Sequence, residues 1–337
     1  MKKILVIGGT GAMGRYTVPE LLRLGFDVDV AALNRPDITH ENLTSIIANA
    51  MDNAWLKKQI TQTKYDVILD FMNYSLPDFR ARMQLMLDST DQYMFLSSCR
   101  VYADKEIPVK ETSPRLLDVE FDADYRRLYE TEYSLYKAME EDMLRDSGKK
   151  NWTVILPATT YSTGRAQLVT LEANSFVYRA WQGKKVILPA AAKDCPATLS
   201  WGGDVGVMIA RLAGNAEALG QKFITATAEH HTWKEIAEIY HELIDLKYEW
   251  VDTETYLRAI ASESRYPYAK YQLIFARLFH RITDNSKILR AADMKQEDLM
   301  PFYNGMKTEL AKISLSDIKP DAYINEKMDA YFANNKL

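Results

Sequence analysis

Met1 to Ile7 is a short apolar run, rich in β-branched residues, that breaks directly into Gly8-Gly9-Thr10-Gly11-Ala12-Met13-Gly14. A strand, a glycine turn and a helix start in that order leave few architectures open. Gly8, Gly11 and Gly14 follow the spacing G-x-x-G-x-x-G, and each has its own task around a dinucleotide pyrophosphate. Gly8 permits the tight turn off the strand, and Gly11 lets backbone N–H groups approach a phosphate at the positive end of the helix. Gly14 lets that helix, read as residues 12–24, lie close on the sheet. Thr10, Ala12 and Met13 complete the loop, and Tyr16, Leu21, Leu22 and Leu24 are expected on the inner side of the helix.

Downstream the pattern alternates. Strands are expected at Phe26–Leu33, at Ser45–Ala48 after helical residues from about Thr39, at Tyr65–Phe71 and at Tyr93–Ser98. A helix over Tyr125–Arg145, a strand at Trp152–Leu156 closed by Pro157, and a last strand at Lys222–Ala226 follow. Strands alternating with helices predict a doubly wound parallel sheet. Thr232-Trp233-Lys234-Glu235 reads as a capping box that opens a helix with Ile236, Ile239, Tyr240 and Leu243 inward. His230 and His231, just before it, read as loop residues. The aromatic-rich tail from Val251 is helical in pattern. The expected division is a dinucleotide-binding domain over 1–165, completed by about 199–228, and a smaller, mostly helical substrate lobe over 166–198 and 229–337.

With 337 residues the chain can bury a substantial core. A net charge of -4 and the absence of a Lys/Arg-rich run supply no field for a nucleic acid backbone, so none is expected as a partner. The apolar start is too short for a signal segment and no apolar span is long enough for a bilayer, which makes a cytoplasmic protein without a membrane partner the expectation. Cys99 and Cys195 are too few and too far apart for a disulfide framework or a metal site.

Tyr133-Ser134-Leu135-Tyr136-Lys137 places a phenol and an ammonium four residues apart on one helix face. A phenol, with a reference pKa of about 10, is a poor base at neutral pH, and a fixed positive charge nearby lowers that value. Proton exchange with a substrate hydroxyl or carbonyl then becomes feasible. Three other Tyr/Lys pairs, Tyr266/Lys270, Tyr303/Lys307 and Tyr323/Lys327, share the spacing. Only Tyr133 and Lys137 lie between the fifth and sixth strands, whose carboxyl ends border the cofactor crevice. Ser98, where the fifth strand ends, is expected to orient the reacting oxygen, with the hydroxyls of Ser97 and Ser98 both directed into that crevice. The end of the second strand carries Asn34 and Arg35 where an acidic residue would bond the ribose of NAD, and a guanidinium there can fork onto a 2′-phosphate. NADP is the expected cofactor, with NAD as the second candidate.

On these residues the chain resembles an extended short-chain dehydrogenase/reductase of the NAD-dependent epimerase/dehydratase family, over nearly its whole length. Gly8/Gly11/Gly14 match the nucleotide loop, Ser97 to Tyr102 match Ser-Ser-x-x-Val-Tyr, and Tyr133/Lys137 match the Tyr/Lys pair. Leu156 to Tyr161 is similar to the R-P-x-x-x-Y segment, with Leu156 in place of the arginine. The resemblance implies a Rossmann-like fold, Ser98, Tyr133 and Lys137 as the catalytic group, and Pro157 lining the nicotinamide. By placement Tyr161, Lys193 and Arg281 are substrate candidates; Arg281 opens a segment similar to one whose arginine binds a diphosphate. Cys99 and Arg100 stand where sugar-nucleotide dehydratases carry Asp-Glu, and a thiol and a guanidinium cannot serve as that acid/base pair. The expected activity is therefore an NAD(P)-dependent epimerase or reductase acting on a sugar alcohol or ketone, above all a nucleotide-linked sugar, with 4,6-dehydration disfavoured. The rival is a nonenzymic NADP-binding regulator or RNA-associated relative. The family also implies a homodimer through helices Asp78–Leu87 and Tyr125–Arg145, with Met83, Leu85, Met86 and Leu87 as apolar surface.

Overall fold

In the computed structural model, which describes residues 1–334, the opening apolar run becomes strand β1 (Lys3–Ile7). Ile4 to Ile7 are fully buried, because β1 has parallel neighbours on both edges. The strands β2 (Asp27–Ala32), β3 (Leu43–Ile47), β4 (Tyr65–Asp70), β5 (Thr90–Leu96), β6 (Trp152–Pro157) and β7 (Gln221–Thr225) complete a seven-stranded sheet in the order β7-β6-β5-β4-β1-β2-β3. Every pairing is parallel. The order reverses between β1 and β4, and it is outside the carboxyl ends of the strands at such a switch point that ligands bind in open α/β sheets.

Helices α1 (Gly14–Arg23), α2 (Asn53–Gln62), α3 (Leu76–Ser89), α4 (Tyr133–Asp146) and α5 (Gly202–Leu212) flank the sheet. One face is packed by Val18, Leu21, Val205, Met208 and Ile209, the other by Leu56, Phe79, Met86, Ala138 and Leu144. The inner side of α1 is formed by Thr17, Val18, Leu21 and Leu22, whereas Leu24 is 41% exposed, because the helix ends before its turn comes round. Met86 and Leu87 are buried in this core and Met83 and Leu85 pack against it, so packing within the chain accounts for the apolar residues of α3.

Two elements depart from the sequence pattern. No helix forms between β2 and β3; residues 33–42 cross as irregular chain after Pro36, too short a span for the expected turns. The helix expected over Tyr125–Arg145 is broken into Ala123–Arg126 and α4. Glu132 is the reason. Its buried carboxylate caps α4 by accepting from the Ser134 N–H at 2.6 Å, and a capping residue must leave the helical conformation to do so. Tyr133 thereby becomes the first residue of the helix.

The chain divides into two units: Met1–Thr160 with Gly202–Thr227 and Thr283–Leu299, and Tyr161–Trp201 with Ala228–Ile282 and the segment from Met300. Thr283–Leu299, which the sequence division left with the helical tail, falls in the first unit because Ile288, Ala292 and Leu299 join its core and Asn285 donates to the Ala226 carbonyl at 3.1 Å. The second unit packs around Trp233, Tyr240, Tyr256 and Phe302. Its helix α6 (Trp233–Ile244) has the expected capping box between Thr232 and Glu235, with Ile236 and Tyr240 fully buried. Among the described residues no helix is long and apolar enough to cross a membrane.

Candidate active site

The glycine turn is built by two backbone requirements. Gly8 has φ of +74°, a conformation that L side chains rarely adopt, and its N–H donates to the Ala31 carbonyl at 2.8 Å. A Cβ on Gly14 would stand 2.4 Å from the Gly9 carbonyl oxygen, so only glycine lets α1 start this close to the turn. Gly11 is different, because a Cβ there would meet nothing closer than the Gly8 oxygen at 3.4 Å. Protein packing does not demand glycine at this exposed position; a ligand lying against the backbone would.

Helix α1 supports that reading. Whereas Asp52, Ser75, Glu132 and Thr232 cap α2, α3, α4 and α6, no side chain caps α1, and its first turn holds no acidic residue. An anion at this end would meet backbone N–H groups and the positive end of the helix dipole. Ala12 is half-buried, and Met13, at the N-cap, turns its side chain into the core. Thr10 donates through Oγ1 to Asn34 Oδ1 at 3.0 Å, tying the turn to the end of β2. A cleft of about 60 Å³ lies there, lined by Gly9, Thr10, Arg15, Asn34, Arg35 and Asp37 among others. Arg15, the residue after Gly14, was not singled out in the sequence; its signal is a second guanidinium near Arg35.

At the end of β5, Ser98 accepts from the Arg100 N–H at 3.2 Å and opens a short turn over Cys99–Val101. Arg100 then reaches α4, where it forms an ion pair with Glu132 and lies 5.6 Å from the centroid of the Tyr133 ring. Ser98 is thus bonded by the Arg100 backbone and Tyr133 neighboured by the Arg100 guanidinium, and both residues remain half-exposed. Ser97 does not share the crevice with Ser98. Its buried hydroxyl donates to Glu141, because successive side chains of a strand point to opposite faces.

Two tyrosines of α4 pack edge-on, Tyr133 and Tyr136, with ring centroids 5.5 Å apart. The Tyr136 hydroxyl is held by Asn73 at 2.8 and 3.1 Å, and burial pushes its phenol up to about 12. Lys137 is buried, with Nζ 2.9 Å from Glu140 Oε2 and no hydrogen bond of proper alignment. Glu140 is the second residue missed in the sequence, although its spacing of three from Lys137 was there to be read. Pro157 is buried at the end of β6, paired with Thr225.

The substrate candidates lie in the second unit. Tyr161 is 1% exposed, packed edge-on against Phe302 and so close to Gly305 that a Cβ there would fall 2.1 Å from its hydroxyl. This is a core position. Lys193 is half-buried after the turn Ala190–Ala192, and Arg281 donates its N–H to the Pro196 carbonyl at 2.9 Å, which brings their two segments together.

The model of the NAD dependent epimerase/dehydratase family matches residues 4–192, more than half of the chain. The chain belongs to this family. The UDP-glucose 4-epimerase of Thermotoga maritima, solved with UDP-glucose, has the same fold at 16% identity (TM-score 0.66), covering 92% of this chain and 97% of that one. The NAD complex of the Thermus thermophilus UDP-glucose 4-epimerase is similar at 17% identity (TM-score 0.64; 92% and 98% covered). The NAD complex of dTDP-glucose 4,6-dehydratase from Bacillus anthracis is similar at 16% identity (TM-score 0.66; 92% and 96% covered). No curated protein matches by sequence. This epimerase/dehydratase family member therefore shares its fold with both reaction types, and its own residues must argue the chemistry.

Proposed function

We propose that the protein binds NADP and transfers hydride to or from a sugar alcohol or ketone, carried on a nucleotide, as an epimerase or reductase. The observation that supports this reading is that Arg100 adjoins both residues, its N–H bonding Ser98 at the end of β5 and its guanidinium 5.6 Å from the Tyr133 ring at the start of α4, in the unit that bears the glycine turn. The residues present fit the cofactor: the open backbone at Gly11, the uncapped α1 and the unused donors of Lys137 would hold pyrophosphate and ribose. When bound, the nicotinamide supplies the hydride acceptor and donor. Tyr133 moves the proton of the reacting oxygen, Ser98 orients that oxygen, and Lys137 brings positive charge one helical turn from the phenol. Arg100 is committed to Glu132, and Cys99 is buried with its thiol donating to the Leu156 carbonyl at 3.1 Å. A guanidinium in an ion pair and a thiol bonded to a carbonyl are poor candidates for the acid/base pair of a dehydration, which supports a reading that disfavours 4,6-dehydration. The named neighbours act on UDP- and dTDP-glucose, which supports a nucleotide sugar as the substrate class.

Preference for NADP rests on Arg15 and Arg35 in the cleft beside the turn. A charge-assisted hydrogen bond is worth about 1.5–3 kcal/mol, or roughly tenfold to a hundredfold in affinity. Arg15→Ala and Arg35→Ala are therefore each expected to weaken NADPH binding about tenfold or more and NADH binding less than threefold, in fluorescence titrations. Wild-type protein that binds NADH as tightly as NADPH would count against the preference. Mass spectrometry of the small molecules retained on purification, followed by redox assays over a panel of nucleotide sugars, tests the reading itself. Tightly held, non-exchanging cofactor favours an epimerase; exchanging NADPH favours a reductase.

A further inference from the structure

Lys137 and Glu140 form an ion pair in which neither residue is more than 1% exposed. The ammonium also lies 4.5 Å from the centroid of the Phe95 ring in β5. A cation shut away from water against an aromatic ring is costly to keep charged without a counter-ion. Glu140 is placed to be that counter-ion. Asp70, at the end of β4, is already engaged by the hydroxyls of Tyr74 and Tyr93 at 3.0–3.1 Å and by the Met72 N–H at 3.0 Å.

The titratable groups around Glu140 are Tyr136, Lys137 and Glu141 on its own helix, Asp70 on β4 and Tyr93 on β5. Burial raises its carboxyl to about 7 against the pull of Lys137, and Asp70 and Glu141 add to the rise. Both Glu140 oxygens and the Lys137 nitrogen lack an aligned hydrogen bond among the described residues. The pair is held at 2.9 Å, with ammonium donors still to be used.

We propose that Glu140 is a positioning residue: it keeps the Lys137 ammonium charged and in place, with donors to spare for the hydroxyls of the cofactor ribose, one turn from Tyr133. This rests on the cofactor reading above. The role differs from a merely structural one because it acts through Lys137, and a double-substitution cycle separates the two. NADPH dissociation constants are measured by fluorescence for the wild type, Glu140→Gln, Lys137→Met and the double variant, with melting temperatures alongside. Glu140→Gln is expected to weaken binding about tenfold in the wild-type background and less than twofold in the Lys137→Met background. Each single variant leaves one charge buried alone, so both melt lower than the double variant. A single variant that fails to fold while the double folds shows the same coupling; failure of both would mark Glu140 as structural and overturn the proposal.

A pH series of stability reads the protonation of Glu140 itself, which supplies the full counter-charge only above about pH 7. Below the ordinary carboxyl value of 4.5 Glu140 is protonated whether folded or not, and between 4.5 and about 7 only the folded chain holds that proton. Stability is then lost as pH rises through this window, and Glu140→Gln should flatten the slope, leaving the part due to Asp70 and Glu141, which burial raises likewise. Equal losses of NADPH affinity in both backgrounds overturn the role of Glu140 alone. A wild-type protein that binds neither NADPH nor NADH overturns the functional reading and this role with it.

Discussion

Tyr133→Phe is expected to lower kcat/KM by about 10²–10⁴-fold, the usual worth of a general acid/base, on the nucleotide sugar that the wild type turns over. The substitution removes one oxygen from a half-exposed ring and keeps the ring beside Arg100, and melting temperature and NADPH affinity measured alongside separate a loss of chemistry from a loss of structure. Tyr136→Phe is the control. Its hydroxyl is bonded to Asn73, and its loss should cost about 1 kcal/mol of stability with turnover within a few fold. Near-wild-type turnover by Tyr133→Phe would sink the proton-transfer assignment, and a large loss in Tyr136→Phe with none in Tyr133→Phe would exchange the two roles.

The second large effect is expected at the turn. In Gly14→Ala the added carbon would stand 2.4 Å from the Gly9 oxygen and 2.5 Å from its carbonyl carbon. These are backbone atoms of a constrained turn and cannot swing aside as a side chain can. Alanine gains about 1 kcal/mol over glycine in helix propensity, but overpacking of this kind costs about 3 kcal/mol or more, so the overlap wins. A loss of roughly 4–8 °C in melting temperature is expected for a net 2 kcal/mol in a unit of this size, measured by calorimetry. Gly11→Ala should leave the melting temperature unchanged, because its Cβ meets only the Gly8 oxygen at 3.4 Å, yet weaken NADPH binding about tenfold or more. NADPH affinity unchanged in Gly11→Ala would remove the turn from the cofactor site. The two glycines, three residues apart, thus separate folding from binding.

Most of the sheet was legible in advance because a buried parallel strand writes itself as an apolar run, as at Ile4–Ile7, Val67–Leu69 and Val154–Leu156. The absent helix before β3 and the break before α4 were not, since helical periodicity is a weak signal where a short crossing or a capping carboxylate decides the backbone. Glu132 reads in sequence as an ordinary surface glutamate. Only the structure shows it 2% exposed, bound to Arg100 and ending the chain's freedom to extend α4 backwards. The same holds for Ser97 and Ser98, adjacent in sequence and turned to opposite faces.

Local order along the chain determined the strand, the glycine turn, the helix after it and the family they belong to, because each depends on residues within a few positions of one another. The spacing of Tyr133 and Lys137 on one helix was determined in the same way. Tertiary structure decided which groups those residues meet: Arg15 and Arg35 lining one cleft, the Arg100 guanidinium beside Tyr133, Phe95 under Lys137, and Asn73 on Tyr136. It also decided that Tyr161 is core. Partners brought together across the sheet, and the burial that sets their charge, depend on contacts between distant segments, which no local pattern encodes.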